Sequence, residues 1–198
     1  MRHINNLLLA YKTSSNYSQN RCPLIIILEQ ACEHRMKKYF AYGSNLLPKR
    51  IEQRIGPLTS IGAAILPNQK INFSKISTDG SGKCTIVPCR RQNVHGVVYE
   101  LSLSAKALLD EIEGIGKGYQ SVLYKIDGFG ECFAYVAEPA YIDENIKPYE
   151  WYKQLVLQGC QFHRFPKKYI KRIQSYESIP DQNQVRSDNN LRLIKRLE

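Results

Sequence analysis

The chain has 198 residues, of which 43% are hydrophobic and 23% charged, a length for about one domain and a balance that excludes disorder, collagen-like repeats and coiled coil for its bulk. The formal net charge of +10 raises two partner classes, nucleic acid and an anionic small molecule. No nucleic-acid motif is present, and the basic residues cluster on one helical pattern (164–172) and in a polar tail, so nucleic acid is not expected.

Residues 1–35 mix Asn, Ser and Tyr around one short apolar run, 24–28, far below the roughly 20 residues a spanning helix needs. They are expected to be a poorly structured extension, with the fold starting near Met36, the second methionine and a candidate start of translation. No secretory pattern is seen, so a soluble cytoplasmic protein, monomer or homodimer, without a membrane partner is expected. Residues 38–42 form a candidate strand and Gly43-Ser44 a turn. Asn45 is the expected cap of a helix reaching residue 55, with Pro48 in a first turn where its missing N–H removes no helical bond.

After Gly56-Pro57, four short strands are expected at 60–66, 70–76, 85–87 and 94–101, cut by Gly, Pro, Asn and Asp clusters. A helix capped by Ser104 then places Ala105, Leu108, Leu109 and Ile112 on one stripe and stops at Gly114. Strands at 119–126 and 132–137 follow, then helices at 149–160 and 166–176, the second opened by a proline. Residues 36–177 make the expected domain, and 178–198, rich in Asp, Asn, Gln and Arg, a polar tail or a short peripheral helix. Neighbouring strands with few helices between them point to an α+β fold: a small, mixed, mostly antiparallel barrel with peripheral helices.

Six cysteines (22, 32, 84, 89, 132, 160) and four histidines lie far apart, with no pair at metal-ligand spacing. No metal is expected, and the thiols are expected to be reduced and mostly buried. Two stretches carry candidate chemistry. Residues 39–46 (YFAYGSNL) break a strand at a glycine and enter a helix, a place where backbone N–H groups lack helical partners and face carboxylates or oxyanions. Residues 109–114 (LDEIEG) end a helix, and Glu113 is the acid nearest the core edge, close to the negative end of the macrodipole.

YFAYGSNL at 39–46 followed by LDEIEG at 109–114 resembles the γ-glutamylcyclotransferase family in order and spacing. Further matches are Arg50, the 94–99 segment VHGVVY, Tyr119, Pro148, Tyr152, Gly159-Cys160, Phe165-Pro166 and Tyr169, so the resemblance covers about residues 38–174. It implies a small mixed barrel with flanking helices and a cofactor-independent enzyme that releases 5-oxoproline from γ-glutamyl compounds. By the same resemblance Glu113 is the catalytic acid/base. Tyr39, Phe40, Ala41, Tyr42, Gly43 and Ser44 form the loop that holds the γ-glutamyl group, with Tyr152 a further substrate contact and Tyr119 a supporting residue. The Gly-Ser-Asn turn departs from the Gly-Ser-Leu type of glutathione-specific relatives, so a γ-glutamyl amino acid is the expected substrate and a γ-glutamyl amine the next. The alternative is a non-catalytic binding protein of the same fold that uses its basic surface for an anionic partner or nucleic acid.

Overall fold

The structure is a computed structural model and describes residues 36–195. Strand β1 (Lys37–Ala41) is the centre of a five-stranded sheet of order β2-β3-β1-β5-β4. It pairs antiparallel with β3, from Lys37 opposite Leu101 to Ala41 opposite Val97, and parallel with β5 at Tyr39 and Phe133. A strand covered on both edges and both faces needs apolar side chains throughout, and Tyr39, Phe40 and Ala41 are all buried.

The four short strands expected between 60 and 101 are one long hairpin, β2 (Thr59–Ile76) and β3 (Gly82–Leu101). Its punctuation residues are absorbed as irregularities within the ladder: pairing steps from Pro67 opposite Asn93 to Gln69 opposite Pro88, so β3 loops out opposite Asn68. Asn68 and Arg91 take the positive φ values (57° and 64°) that let the chain kink there without ending the strands. The expected barrel is also corrected, because the sheet stays open between β2 and β4 (Tyr119–Ile126). The ring of Phe129, in the turn from β4 to β5 (Gly130–Ala137), lies against Gly62, where a Cβ would come within 3.1 Å of it. Strand β2 meets the chain beyond β5 through the isolated Lys75–Ile142 bridge and single hydrogen bonds such as Asp143 N to Ser74 O and Tyr176 Oη to Ile71 O, none of which forms a ladder with β4. A side chain thus stands between the two edges where closure would need a ladder.

Helix α1 (Pro48–Ile55) follows a short 3-10 turn, Ser44–Leu46. Helix α2 (Leu103–Glu113) is capped by Ser102, whose Oγ accepts from Ala105 N at 3.1 Å, instead of by Ser104. Its inward face also differs from the expected stripe: Leu109 is buried, but Leu108 and Ile112 are 43% and 41% exposed. Asp110 accepts from Tyr135 Oη at 2.7 Å and Glu113 from Arg54, so hydrogen bonds to two carboxylates turn the helix away from the face that hydrophobicity alone selects. Gly114 does stop the helix, at φ 73°, with its N–H on Asp110 O at 3.0 Å.

Helices α3 (Glu150–Phe162) and α4 (Lys167–Gln174) close over the sheet, and α3 buries Trp151, Tyr152, Leu155, Val156, Leu157 and Cys160. Of the two forms expected for the polar C-terminal stretch, the helix is found: α5 (Gln184–Lys195) packs on the core through Leu191, Leu193 and Ile194. The extension expected at 1–35 lies outside the described residues, as do Cys22, Cys32, His3 and His34. Cys84, Cys132 and Cys160 are buried free thiols and Cys89 is half-buried. No helix among the described residues is long and apolar enough to cross a membrane.

The C-terminal segment is anchored by a buried carboxylate. Asp181 accepts from Trp151 Nε1 at 2.8 Å, from Asn183 N at 2.9 Å and from Arg186 Nε and Nη2 at 2.6 Å each. The Arg186 bonds foremost hold this carboxyl well below the usual carboxylate range. Because the folded-state value lies below the unfolded one of about 3.9, the stabilisation is present above about pH 4 and is lost as pH falls further. Asp181→Asn is therefore expected to flatten the acid limb of melting temperature against pH, and an acid limb identical to wild type would contradict this.

Candidate active site

The strand-to-helix junction after β1 and the end of α2 converge on one small pocket, about 290 Å³ only when the open space at its mouth is included. Of the residues expected at the site, Tyr39, Tyr42, Gly43, Ser44, Glu113 and Tyr152 line it, as does Tyr119. Phe40 and Ala41 do not. Strand alternation sends Phe40 to the other face of β1, where its ring covers Gly96, at which a Cβ would lie 2.3 Å from the ring. Ala41 is buried in the ladder opposite Val97.

Among the described residues Glu113 is the only charged side chain in the lining, and two elements fix it. Arg54 Nη1, reaching from α1, donates to Oε1 at 2.5 Å, and Asn45 Nδ2 donates to the same oxygen at 2.9 Å. Asn45 closes the ring by accepting from Arg54 Nη1 at 3.1 Å, and its Nδ2 also donates to Tyr39 Oη at 3.1 Å. Both bonds to Glu113 fall on Oε1, and Oε2 has no protein donor among the described residues.

Asn45 is therefore not the cap the sequence pattern predicts. Pro48 holds the preceding Leu47 in the extended region (φ −77°, ψ 113°), so the helix cannot start before Pro48 and the Asn45 side chain turns to the acid instead. The Gly-Ser turn owes its glycine to close approach, not to a positive φ: at φ −101°, a Cβ on Gly43 would sit 3.1 Å from Cys84 Cβ and 3.4 Å from Tyr152 Oη. Ser44 Oγ accepts from Arg50 Nε at 3.3 Å, and Arg50 is held in turn by Asn190 of α5 at 2.7 Å. Burial, and after it the nearby Arg54, lowers Arg50 to about 10, still charged at neutral pH.

The remaining wall is phenolic. Tyr152 Oη accepts from Cys84 N at 3.1 Å, Tyr119 Oη donates to Cys84 O at 2.6 Å, and Tyr42 Oη donates to Tyr135 O. Burial pushes the phenols of Tyr39, Tyr42, Tyr119 and Tyr152 well above their ordinary range, and the Cys84 thiol likewise. At neutral pH they are uncharged. Arg54, Cys84 and Tyr135 were not among the residues expected here. Arg54 had a signal, since it sits four residues after Arg50 and so shares its helix face; Cys84 and Tyr135 had none, being delivered by strand register.

The AIG2-like family matches residues 93–173. The γ-glutamylcyclotransferases of Bos taurus and Homo sapiens are each 29% identical over 149 residues, covering 70% of this chain and 78% of theirs. A solved structure described as a gamma-glutamyl cyclotransferase superposes with a TM-score of 0.72 at 27% identity, covering 81% of this chain and 99% of that one. The open sheet, its covering helices and these likenesses agree: in sequence and in fold the chain is similar to the γ-glutamylcyclotransferases.

Proposed function

We propose that the protein is a γ-glutamylcyclotransferase that converts a γ-glutamyl amino acid into 5-oxoproline and the free amino acid. The observation that carries this is Glu113, a lone carboxylate pinned through Oε1 with Oε2 open, beside the turn at Gly43, Ser44 and Asn45.

The substrate's α-amine and γ-carbonyl are joined by a short chain, so folding the ligand brings them into attack geometry. Well-oriented internal reactions reach effective molarities of about 10⁵ to 10⁸ M, which leaves proton placement and charge for the protein to handle. Glu113 Oε2 takes a proton from the α-ammonium, and the freed amine attacks the γ-carbonyl carbon to form a five-membered tetrahedral adduct. As the C–N bond to the leaving amine breaks, Glu113 delivers a proton to that nitrogen, since an amide anion is far too basic to depart. Overall the attacking nitrogen loses two protons and the leaving nitrogen gains two, and one carboxylate alternating between its two states relays them. Amides of the Gly43–Asn45 turn hold the substrate carboxylate or the oxyanion, a contribution of about 3 to 4 kcal/mol for one well-placed donor. The phenols, held neutral by burial, supply hydrogen bonds without competing for the proton.

Purified protein incubated with γ-glutamyl-alanine is expected to release 5-oxoproline and alanine in equal amounts, as read by chromatography. Absence of 5-oxoproline across a panel of γ-glutamyl amino acids and amines would refute the assignment.

A further inference from the structure

Lys75 of β2 is only 7% exposed, yet among the described residues its ammonium makes no hydrogen bond and no ion pair. Its close partner is the ring face of Tyr119, with the centroid 4.7 Å from Nζ. Burial lowers the ammonium from its ordinary range, while Glu113, Asp79 and Glu138 act at longer range to raise it. Glu113 and Asp79 are already engaged by Arg54 and Lys83. A cation removed from water and faced only by a π system is costly until an anion completes its shell.

The backbone is built to put it there. Pairing steps from Asn72 opposite Thr85 to Lys75 opposite Lys83, so β2 carries one extra residue across from Cys84, itself part of the pocket wall. Bulges of this kind re-aim side chains beside active sites. Here Phe73, Ser74 and Lys75 are buried in succession, at 2%, 1% and 7% exposure, and among the described residues Ser74 Oγ has no hydrogen-bond partner. Gly118, which precedes Tyr119, leaves the space the ammonium occupies: a Cβ there would lie 2.9 Å from Lys75 Cε and 3.0 Å from Nζ.

We infer that Lys75 is a specificity-determining residue that binds the carboxylate of the leaving amino acid, an assignment that rests on the cyclotransferase function proposed above. Arg54 fixes Glu113 from the α1 side, and the glutamyl amine must lie against that acid. Lys75 is not itself in the pocket lining; it approaches from β2 against Tyr119, which is, and the departing group is placed on that side. A γ-glutamyl amino acid brings a second carboxylate to that point, whereas a γ-glutamyl amine brings none and leaves the ammonium unpaired.

The test compares kcat/KM for γ-glutamyl-alanine and γ-glutamyl-ethylamine in wild type, Lys75→Met and Lys75→Arg. Wild type is expected to prefer the alanine donor, and Lys75→Met to reduce that preference about 10- to 100-fold, mainly through KM, as loss of a charge-assisted hydrogen bond requires. Lys75→Arg is expected to recover part of it. Equal losses on both donors overturn the assignment of Lys75 while leaving the cyclotransferase function standing, and no 5-oxoproline from wild type with either donor overturns both. Wild type also gives a reading free of any variant's folding: γ-glutamyl-alaninamide is expected to show a KM at least about tenfold above that of γ-glutamyl-alanine, and equal values count against Lys75.

Discussion

Glu113→Gln is expected to fold like wild type and to form 5-oxoproline at least about a thousandfold more slowly, within the range that loss of general acid/base catalysis produces. The amide retains an Oε1 that can accept from Arg54 Nη1 and Asn45 Nδ2, so the ring of bonds joining α1, α2 and the Gly43–Asn45 turn survives. What disappears is a group able to take a proton from an ammonium and return it. The lost ion pair matters little for stability. Its two side chains are 23% and 16% exposed, and pairs in contact with water contribute about 0 to 1 kcal/mol. Urea unfolding should therefore show a midpoint close to wild type, with the defect confined to turnover. A rate within tenfold of wild type would remove Glu113 from the chemistry.

The asymmetry between what was legible in the sequence and what was not has a common physical cause. Local signals survived: the strand-glycine break at Gly43, the left-handed stop at Gly114, the β4 boundaries and the proline-led start of α4 all depend on backbone preferences of a few residues. Where long-range partners compete with local preference, the partners won. Leu108 and Ile112 mark a hydrophobic stripe that a helix packed on an apolar surface would bury, but α2 packs beside a polar pocket. There Tyr135, Arg54 and Asn45 supply hydrogen bonds to Asp110 and Glu113. Asn45 looked like a cap because capping is the commonest use of Asn before a helix, and the Leu47–Pro48 pair overrides it. The β2–β3 hairpin was divided at Asn68 and Arg91 because turn chemistry and bulge chemistry draw on the same residues. Of the pocket wall, the resemblance supplied Tyr39, Tyr42, Tyr119, Tyr152, the Gly43-Ser44 turn and the acid. Cys84 and Tyr135 of the wall, and Arg54 and the buried Lys75 beside it, arrive through helix phase, strand register and a bulge, none of which a single motif encodes.

Gly159→Ala carries the largest expected effect on folding, and its consequence reaches the pocket. Gly159 lies in α3 directly under the 3-10 turn: a Cβ there would stand 2.4 Å from Leu46 Cβ and 3.0 Å from Leu46 C and Leu47 N. Carbon atoms settle at about 3.5 to 4.0 Å, so the helix and the turn must separate by roughly an ångström. Leu46 has little freedom to yield, since it is fully buried and its carbonyl takes hydrogen bonds from Tyr99 Oη at 3.4 Å and His163 Nε2 at 2.8 Å. Two opposing effects meet in this substitution. Alanine favours the helix by about 1 kcal/mol over glycine, while overpacking a filled core costs about 1 to 3 kcal/mol, with the upper end expected where backbone atoms are the obstacle. The net expectation is a destabilisation of about 1 to 2 kcal/mol, seen as a lower urea midpoint with an unchanged slope. Because Ser44 and Asn45 lie in the displaced turn, the hydrogen bonds from Asn45 to Glu113 and from Arg50 to Ser44 shift with it. Misplacement by about 1 Å is enough to lower activity on the order of a hundredfold. A Gly159→Ala protein as stable and as active as wild type would mean that α3 slides without moving the turn, and that close packing at this glycine is not what holds the substrate loop against the acid.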